Sequence, residues 1–297
     1  MIKARIQIAR PDIIRHFDQL PSKVLQLSDI ARNLTEQRGF WRLTQRTSTS
    51  MFINFLKTSG KLTSIVFPFP PPYKKKTVYV WGNVPIYQAM LGIKPGCYFS
   101  HYTAVKIHAL TEQAPKTVYV NDEQRLESWL AGKLSQTSID AAFRRPVRVT
   151  KQVAATTDFR VVVINGKNTG KHGVVEDDLK GETGELFGKV RFTNLERTLI
   201  DITVRPVYSG GVSEVLKAFE LAREKLSVNR LAVMLKKLAY IYPYHQAIGY
   251  YLERAGYKPS SLDVFRSIPR EFDFYLMHEI KQKDYVKDWR LFIPKGL

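Results

Sequence analysis

Near its start the chain repeats apolar residues at spacings of three and four, a rhythm that predicts three short helices. The first runs from Pro11, which suits a first helical turn, to about Gln19, with Ile13, Ile14 and Phe17 inward. The second starts at Ser28 as N-cap and carries Asp29 in its first turn. It buries Leu27, Ile30, Ala31 and Leu34 before Gly39. The third covers Thr47–Ser59, with Met51, Phe52, Phe55 and Leu56 inward and Gly60 as its stop. The period then changes. Leu62–Phe67 and Thr77–Trp81 read as strands around a proline-rich tip, Pro68–Tyr73, and a basic run, Lys74, Lys75 and Lys76. Three helices followed by a hairpin predict a winged helix–turn–helix. In that motif the third helix enters the major groove and the hairpin touches the backbone or minor groove.

A linker is expected near Trp81–Pro85, and beyond it the pattern mixes both periods. Pro85–Leu91 reads as a helix, and Ser100 caps another over Tyr102–Leu110. Thr117–Val120 reads as a strand. Between Arg144 and Lys189 the runs PVRVTKQV, FRVVVI, GVVED and ELFGKV read as short strands in polar loops. Thr193 then serves as an N-cap with Glu196 as its capping-box partner, and Leu195, Leu199 and Ile202 share one face. Arg197, Asp201 and Arg205 are four apart, so three charges meet on one edge. Pro206 ends that helix, Gly210 and Gly211 turn the chain, and Ser213 caps the next helix. Ser227 caps a further one, with Leu231, Met234, Leu235 and Leu238 inward. Pro243 opens the last, which Gly256 ends, and Gly249 inside it leaves room for a neighbouring helix. Arg266–Leu297 shows no single pattern.

The fold class expected is therefore α+β. Residues 1–82 form a winged helix–turn–helix DNA-binding domain. Residues 83–297 form a mixed α/β domain, with strands over about 98–190 and a helical part over about 193–257.

Charge sharpens this picture. The chain has 46 Lys/Arg against 27 Asp/Glu, a net of +19, and residues 1–81 alone carry fourteen against four. Positive charge concentrated in a small N-terminal unit points to a polyanion. With the apolar stripe of the third helix inward, its opposite stripe is Arg46, Ser50, Asn54 and Lys57. Arg and Asn pair bidentately with guanine and adenine edges, and Thr49 and Ser50 reach a base or a phosphate. Lys57, Lys74, Lys75 and Lys76 read as phosphate contacts that position without specifying.

Other chemistry finds little purchase. One cysteine, Cys97, precludes an intramolecular disulfide and fits a reducing, cytoplasmic setting. No apolar run reaches bilayer length, so no membrane partner is expected. The loop Gly166–Gly173 resembles a phosphate loop but is one residue short, has His172 where Ser or Thr should sit, and continues as a strand. The histidines show no metal-ligand spacing, and Glu176, Asp177 and Asp178 have no partner motif for a metal-dependent nuclease. The chain is expected to be no enzyme, with no cofactor and no metal.

Three stretches also resemble a family, in its order: Tyr98–Leu110 (YFSHYTAVKIHAL), Phe192–Glu220 with ERTLID, a proline, GG and EVL, and His245–Gly256 (HQAIGYYLERAG). The chain resembles the AbiEi antitoxins, transcriptional regulators of type IV (abortive-infection) toxin–antitoxin systems. It departs at Ala109, where the family has a glycine-like turn residue, and at His245–Gln246, where Gln-Arg is commoner. The resemblance implies an N-terminal winged helix–turn–helix that represses its own operon by binding inverted repeats in promoter DNA. It implies a second, antitoxin domain that counteracts a nucleotidyltransferase toxin, with no stable complex required. Glu196, Arg197 and Asp201 fall in the signature, and Gly210 and Gly211 in its turn, as structural residues of that domain. Two other readings stay open: a DNA-binding regulator with a ligand- or partner-sensing C-terminal domain, and an enzyme acting on nucleic acid.

Overall fold

Helices and strands alternate along the computed structural model, which is mixed α+β, with twelve α-helices and twelve strands among the described residues. Those residues are 2–113, 116–125, 134–180 and 186–297, apart from the side chains of 2–4 and 59. Glu185 of the expected ELFGKV strand lies outside them. The chain divides into two compact units. One is Met1–Gly96 with Ala154–Asp158 and Asp177–Val190; the other is Cys97–Val153 with Phe159–Glu176 and Arg191–Leu297.

The first unit opens with four helices where three were expected. Helix α1 (Ile2–Ile8) precedes α2 (Arg10–Gln19). The run IKARIQI alternates apolar and polar as a strand would, yet it coils and places Ile6 and Ala9 in a core with Ile13 and Phe17. Strand β1 (Val24–Leu25) leads into α3 (Leu27–Gln37). Its N-cap is Gln26, not Ser28, because Gln26 and Asp29 form a reciprocal capping box, with Gln26 N donating to Asp29 Oδ2 at 2.8 Å. Leu27 is consequently 54% exposed rather than buried, and Asn33 takes an inward place opposite His16, at 2.6 Å.

Helix α4 (Thr49–Ser59) starts two residues later than expected, since the Ser48 hydroxyl accepts from Met51 N at 3.2 Å. That phase turns Met51 outward and buries Ile53 with Phe52, Phe55 and Leu56. Strands β2 (Leu62–Phe67) and β3 (Lys76–Trp81) pair antiparallel from Leu62↔Trp81 to Phe67↔Lys76, and β1 joins β3 at Val24↔Val80. Helix α5 (Ile86–Met90) follows.

Next along the chain come β4 (Tyr98–Phe99), α6 (His101–Ile107), β5 (Thr117–Asn121), α7 (Gln136–Phe143), β6 (Val153–Ala155), β7 (Arg160–Ile164), β8 (Val174–Lys180) and β9 (Leu186–Thr193). Within the second unit the strands lie in the order β7-β5-β4-β9, with β5 parallel to β7, and β4 antiparallel to β5 and parallel to β9 at Phe99↔Phe192. Of the run PVRVTKQV only Val153 is in a strand, as the first residue of β6. Residues 144–152 carry no regular structure, while the unforeseen α7 precedes them under a Ser135–Ser138 capping box. Helices α8 (Leu195–Val204), α9 (Val212–Leu221), α10 (Val228–Leu238), α11 (Tyr244–Arg254) and α12 (Pro259–Arg266) pack around Leu199, Ile202, Phe219, Leu231, Ile248 and Tyr251. The tail makes a small sheet, with β10 (Phe274–Tyr275) parallel and β11 (Lys283–Val286) antiparallel to β12 (Leu291–Pro294). The neighbour for which Gly249 makes room is the Trp289 indole, in the short 3-10 helix Lys287–Trp289: a Cβ there would lie 2.1 Å from the ring.

Two caps also differ from expectation. Asn194, not Thr193, caps α8, accepting from Arg197 N at 3.0 Å, because Thr193 still belongs to β9. Gly211, not Ser213, stands at the start of α9, since the turn ends two residues earlier.

Two backbone features give tests. Ala109 sits at φ 55, a left-handed conformation that costs a residue with a Cβ about 1–2 kcal/mol. Glycine relieves that and loses part of the gain to chain entropy, so Ala109→Gly should stabilise the protein by about 0.5–1 kcal/mol in urea unfolding. His101 is buried beside the Ser100 hydroxyl, at 2.8 Å, and burial pushes its pKa down from 6.5 to about 3. The folded state therefore refuses a proton that the unfolded chain accepts. This contribution to stability is whole above about 6.5 and is lost as pH falls towards 3. His101→Asn keeps a residue tolerant of φ 51 and removes the titration. Between about pH 6 and pH 4 its stability should fall less steeply than that of the wild type, by about 1.4 kcal/mol per pH unit.

Candidate nucleic-acid interface

Helix α4 has two chemically different sides. Phe52, Ile53, Phe55 and Leu56 face the core, where Trp41 stacks on Phe52 at 5.5 Å between ring centroids. Ser50, Asn54 and Lys57 are exposed on the other side, and Thr49 is half-buried. Arg46 is exposed in the turn before the helix rather than on it, because α4 starts at Thr49. The side chains of Arg46, Thr49, Ser50 and Asn54 make no hydrogen bond among the described residues.

Lys57 is less free. Its Nζ donates to Ser64 Oγ on β2 at 2.8 Å and lies 5.7 Å from the Tyr79 ring centre on β3. The last turn of α4 and the hairpin are thereby joined by one cation. At the far end of the hairpin, Lys74 and Lys75 are exposed, and Lys76, half-buried, pairs with Phe67 as the first residue of β3. The structure thus brings Lys57 and the hairpin together and leaves Lys74 and Lys75 at the tip.

Acidic residues in this unit are engaged elsewhere. Asp12 pairs with Arg15, Asp29 with Arg32 and Asp18 with Lys61. These are three of the four acids among residues 1–81. Exposed pairs of this kind add little stability, but they subtract cations from the unit's outer surface. Sequence reasoning passed over Arg42, which is exposed at φ 51 between α3 and α4, and Arg38, which donates to the carbonyls of Thr44 and Thr47 and shapes the turn before α4.

The signature residues lie in the second unit and inside it. Arg197 and Asp201 are 3% and 4% exposed, with Arg197 Nε donating to Asp201 Oδ1 at 2.7 Å. Arg197 Nη1 also donates to Thr169 Oγ1 and to the His172 carbonyl, both at 2.9 Å, so it ties the loop Gly166–Gly173 to α8. Glu123 accepts from Thr169 and Tyr98 on the same loop and sheet. Burial works against the charge on Arg197, but Asp201 beside it outweighs that and strengthens its hold on the proton. Burial pushes the Asp201 carboxyl up, against the pull of Arg197.

Arg205 does not join the pair. Its Nη1 reaches the Arg148 carbonyl at 3.0 Å. Glu196 is bound instead by Arg230 at 2.8 Å. Gly210 and Gly211 take φ 84 and φ 97, the left-handed region that their turn requires. Among the described residues no group of three or more His, Cys, Asp or Glu side chains could hold a metal ion. No helix there is long and apolar enough to cross a membrane.

Comparison with known proteins locates the fold. The crystal structure of the RV2827C protein from Mycobacterium tuberculosis superposes with a TM-score of 0.52 at 14% sequence identity. It covers 96% of this chain and 91% of its own, and at that identity the likeness is one of fold. No protein-family model and no curated protein sequence matches the chain.

The buried pair yields a test. Removing one partner strands the other as a buried charge, so Arg197→Ala should cost about 3–5 kcal/mol in urea unfolding. The double variant Arg197→Met/Asp201→Leu should recover most of that loss. A loss under about 1 kcal/mol for Arg197→Ala would show that the pair does not hold the loop to α8.

Proposed function

We propose that this protein is an antitoxin of a type IV toxin–antitoxin system that represses its own operon. In this reading the first unit is a winged helix–turn–helix, α4 is its recognition helix, and the hairpin β2–β3 is its wing. Residues 83–297 counteract a nucleotidyltransferase toxin encoded alongside, without a reaction centre of their own. The observation that carries the DNA-binding half is the outer face of α4. Ser50 and Asn54 stand there without partners, next to Arg46, in the part of the chain with the greatest excess of positive charge. Arg46 and Asn54 read base edges, and Lys57, Lys74, Lys75 and Lys76 hold phosphates. The antitoxin half is supported by the ordered resemblance of three stretches to AbiEi proteins. In this assignment Glu196, Arg197, Asp201, Gly210 and Gly211 keep that domain's shape rather than perform chemistry.

A DNA-binding regulator whose second unit senses a ligand or partner is the alternative. Co-expression with the gene beside it decides between them. The antitoxin reading requires that the full-length protein relieve that gene's toxicity, and failure to do so leaves the plain regulator. Retention of the operon's own promoter DNA in gel electrophoresis tests the half common to both. Binding through six to ten phosphate contacts should weaken roughly 10³–10⁵-fold between about 50 and 200 mM salt. Replacing Lys74, Lys75 and Lys76 by Ala should weaken binding to every sequence alike and lower the salt slope by roughly 0.9 per lost contact. Asn54→Ala should instead narrow the gap between operator and unrelated DNA by about 1–3 kcal/mol. Unchanged discrimination in Asn54→Ala would sink the assignment of α4 as the reading helix.

A further inference from the structure

The turn Pro206–Gly211 forms one wall of a cavity of about 670 Å³ in the second unit. The other walls come from Phe143 and Val147, the end of α8, Tyr244 of α11 and the segment Leu276–Lys281. Much of the lining is aliphatic: Val147, Val204, Val207, Val212, Leu276 and Met277. Val207 is left 41% exposed, an apolar side chain with no core to enter. The size falls within the roughly 300–1,000 Å³ typical of sites for small organic molecules.

Three arginines flank Phe143 and Val147 of this lining along the chain. Arg144, Arg145 and Arg148 belong to a stretch with no acidic residue before Asp158, and all three are exposed. Hydrogen bonds hold the segment Phe143–Arg148 in place. His278 Nδ1 meets the Arg145 carbonyl at 3.0 Å, Glu279 N donates to the Phe143 carbonyl at 2.8 Å, and Arg205 Nη1 donates to the Arg148 carbonyl at 3.0 Å. Lys281 lines the cavity itself, as does one acid, Glu279. None of Arg144, Arg145, Arg148 and Lys281 forms an ion pair among the described residues. Tyr244 also lines the cavity, and its hydroxyl makes no hydrogen bond among the described residues. Burial raises its pKa, so that hydroxyl stays protonated as a donor.

We propose that this cavity binds an aliphatic carboxylate, with its hydrocarbon chain against the valines, Leu276 and Met277 and its acid group towards the Tyr244 hydroxyl and these cations. A nucleotide fits less well. The aromatic ring a base would stack on, Phe143, is 5% exposed and already stacked with His278 at 4.5 Å and Tyr275 at 5.6 Å. In the lining Lys281 offsets Glu279, and the three exposed arginines beside Phe143 and Val147 weigh against a cationic amphiphile. The inference stands apart from the DNA-binding reading, since every residue in it lies in the second unit.

Calorimetric titration of the full-length protein with octanoate, decanoate and decyltrimethylammonium tests it, with no DNA present. Decanoate should bind one to one, and each added methylene should tighten binding by about fourfold. Decanoate should bind at least about tenfold more tightly than decyltrimethylammonium, whose chain is the same and whose charge is opposite. Val207→Asp and Met277→Glu, each confirmed folded by circular dichroism, should weaken decanoate binding by about tenfold or more. Arg145→Glu with Lys281→Glu should shrink the preference for the anion. No saturable decanoate binding, equal binding of the two amphiphiles, or undiminished binding by both apolar-site variants would overturn the proposal.

Discussion

The Trp81 indole clamps the hairpin to the helices, and the candidate interface depends on that clamp. Trp81 ends β3, is 3% exposed, and lies 5.0 Å from the Phe17 ring of α2. Its Nε1 donates to Asp18 at 2.8 Å, and the same carboxylate accepts from Lys61 at 3.1 Å, beside the start of β2. The Trp81 bond, with Lys61 second, holds Asp18 below the usual carboxylate range. Gly60 closes α4 so near the indole that a Cβ would come within 2.9 Å of it. One side chain thus fixes α2, the end of α4 and the base of the hairpin at once. With that base fixed, Lys57 reaches Ser64 and Tyr79, and α4 and the hairpin share a face.

The second unit uses charge in the opposite way. Arg197 is nearly sealed from solvent and spends its donors on Asp201, Thr169 and the His172 carbonyl. Desolvating such ions is costly, and the cost is offset only by near-complete hydrogen bonding. What the network secures is geometry: the loop Gly166–Gly173 is held on α8 from beneath. The same loop sends Lys167 to the carbonyls of Leu238 and Ala239 at the end of α10. A sequence stretch that superficially invites a phosphate therefore has Lys167, Asn168 and Thr169 committed to protein.

The parts legible in the sequence were those whose signal is local. Gly60 and the proline-rich tip bracket β2, the basic run leads into β3, and Ser227, Pro243 and Gly256 bound α10 and α11 where expected. Errors arose where a local signal met a stronger tertiary demand. The period-two run of α1 coils against α2, and residues 146–152, despite Val147, Val149 and Thr150, form no strand. Met51 points outward because Ser48 caps α4, which starts at Thr49, two residues later than expected. The tail was opaque for another reason. Strand β10 is two residues long and pairs with residues seventeen positions on, at Phe274↔Leu291, so its partner is not readable from spacing. On the candidate interface the residue types were legible, but whether each was free was not. Nothing in the string distinguishes Lys57, held by Ser64, from Asn54, held by nothing.

Net charge alone says little about where a polyanion would bind; local pairing decides it. Asp12, Asp18 and Asp29 engage Arg15, Lys61 and Arg32, which leaves Arg46, Lys74 and Lys75 exposed without acidic partners. The same sorting leaves Arg144, Arg145 and Arg148 unpaired in the second unit. Their neighbours differ, and neighbours set ligand chemistry. Beside Arg46 stand Ser50 and Asn54, hydrogen-bonding groups suited to base edges. Beside Arg145 and Arg148 stand valines, a leucine and a methionine around a cavity, which reward a hydrocarbon and cannot read a base. In the two proposals, two patches of like charge on one chain are thus matched to two different classes of anion.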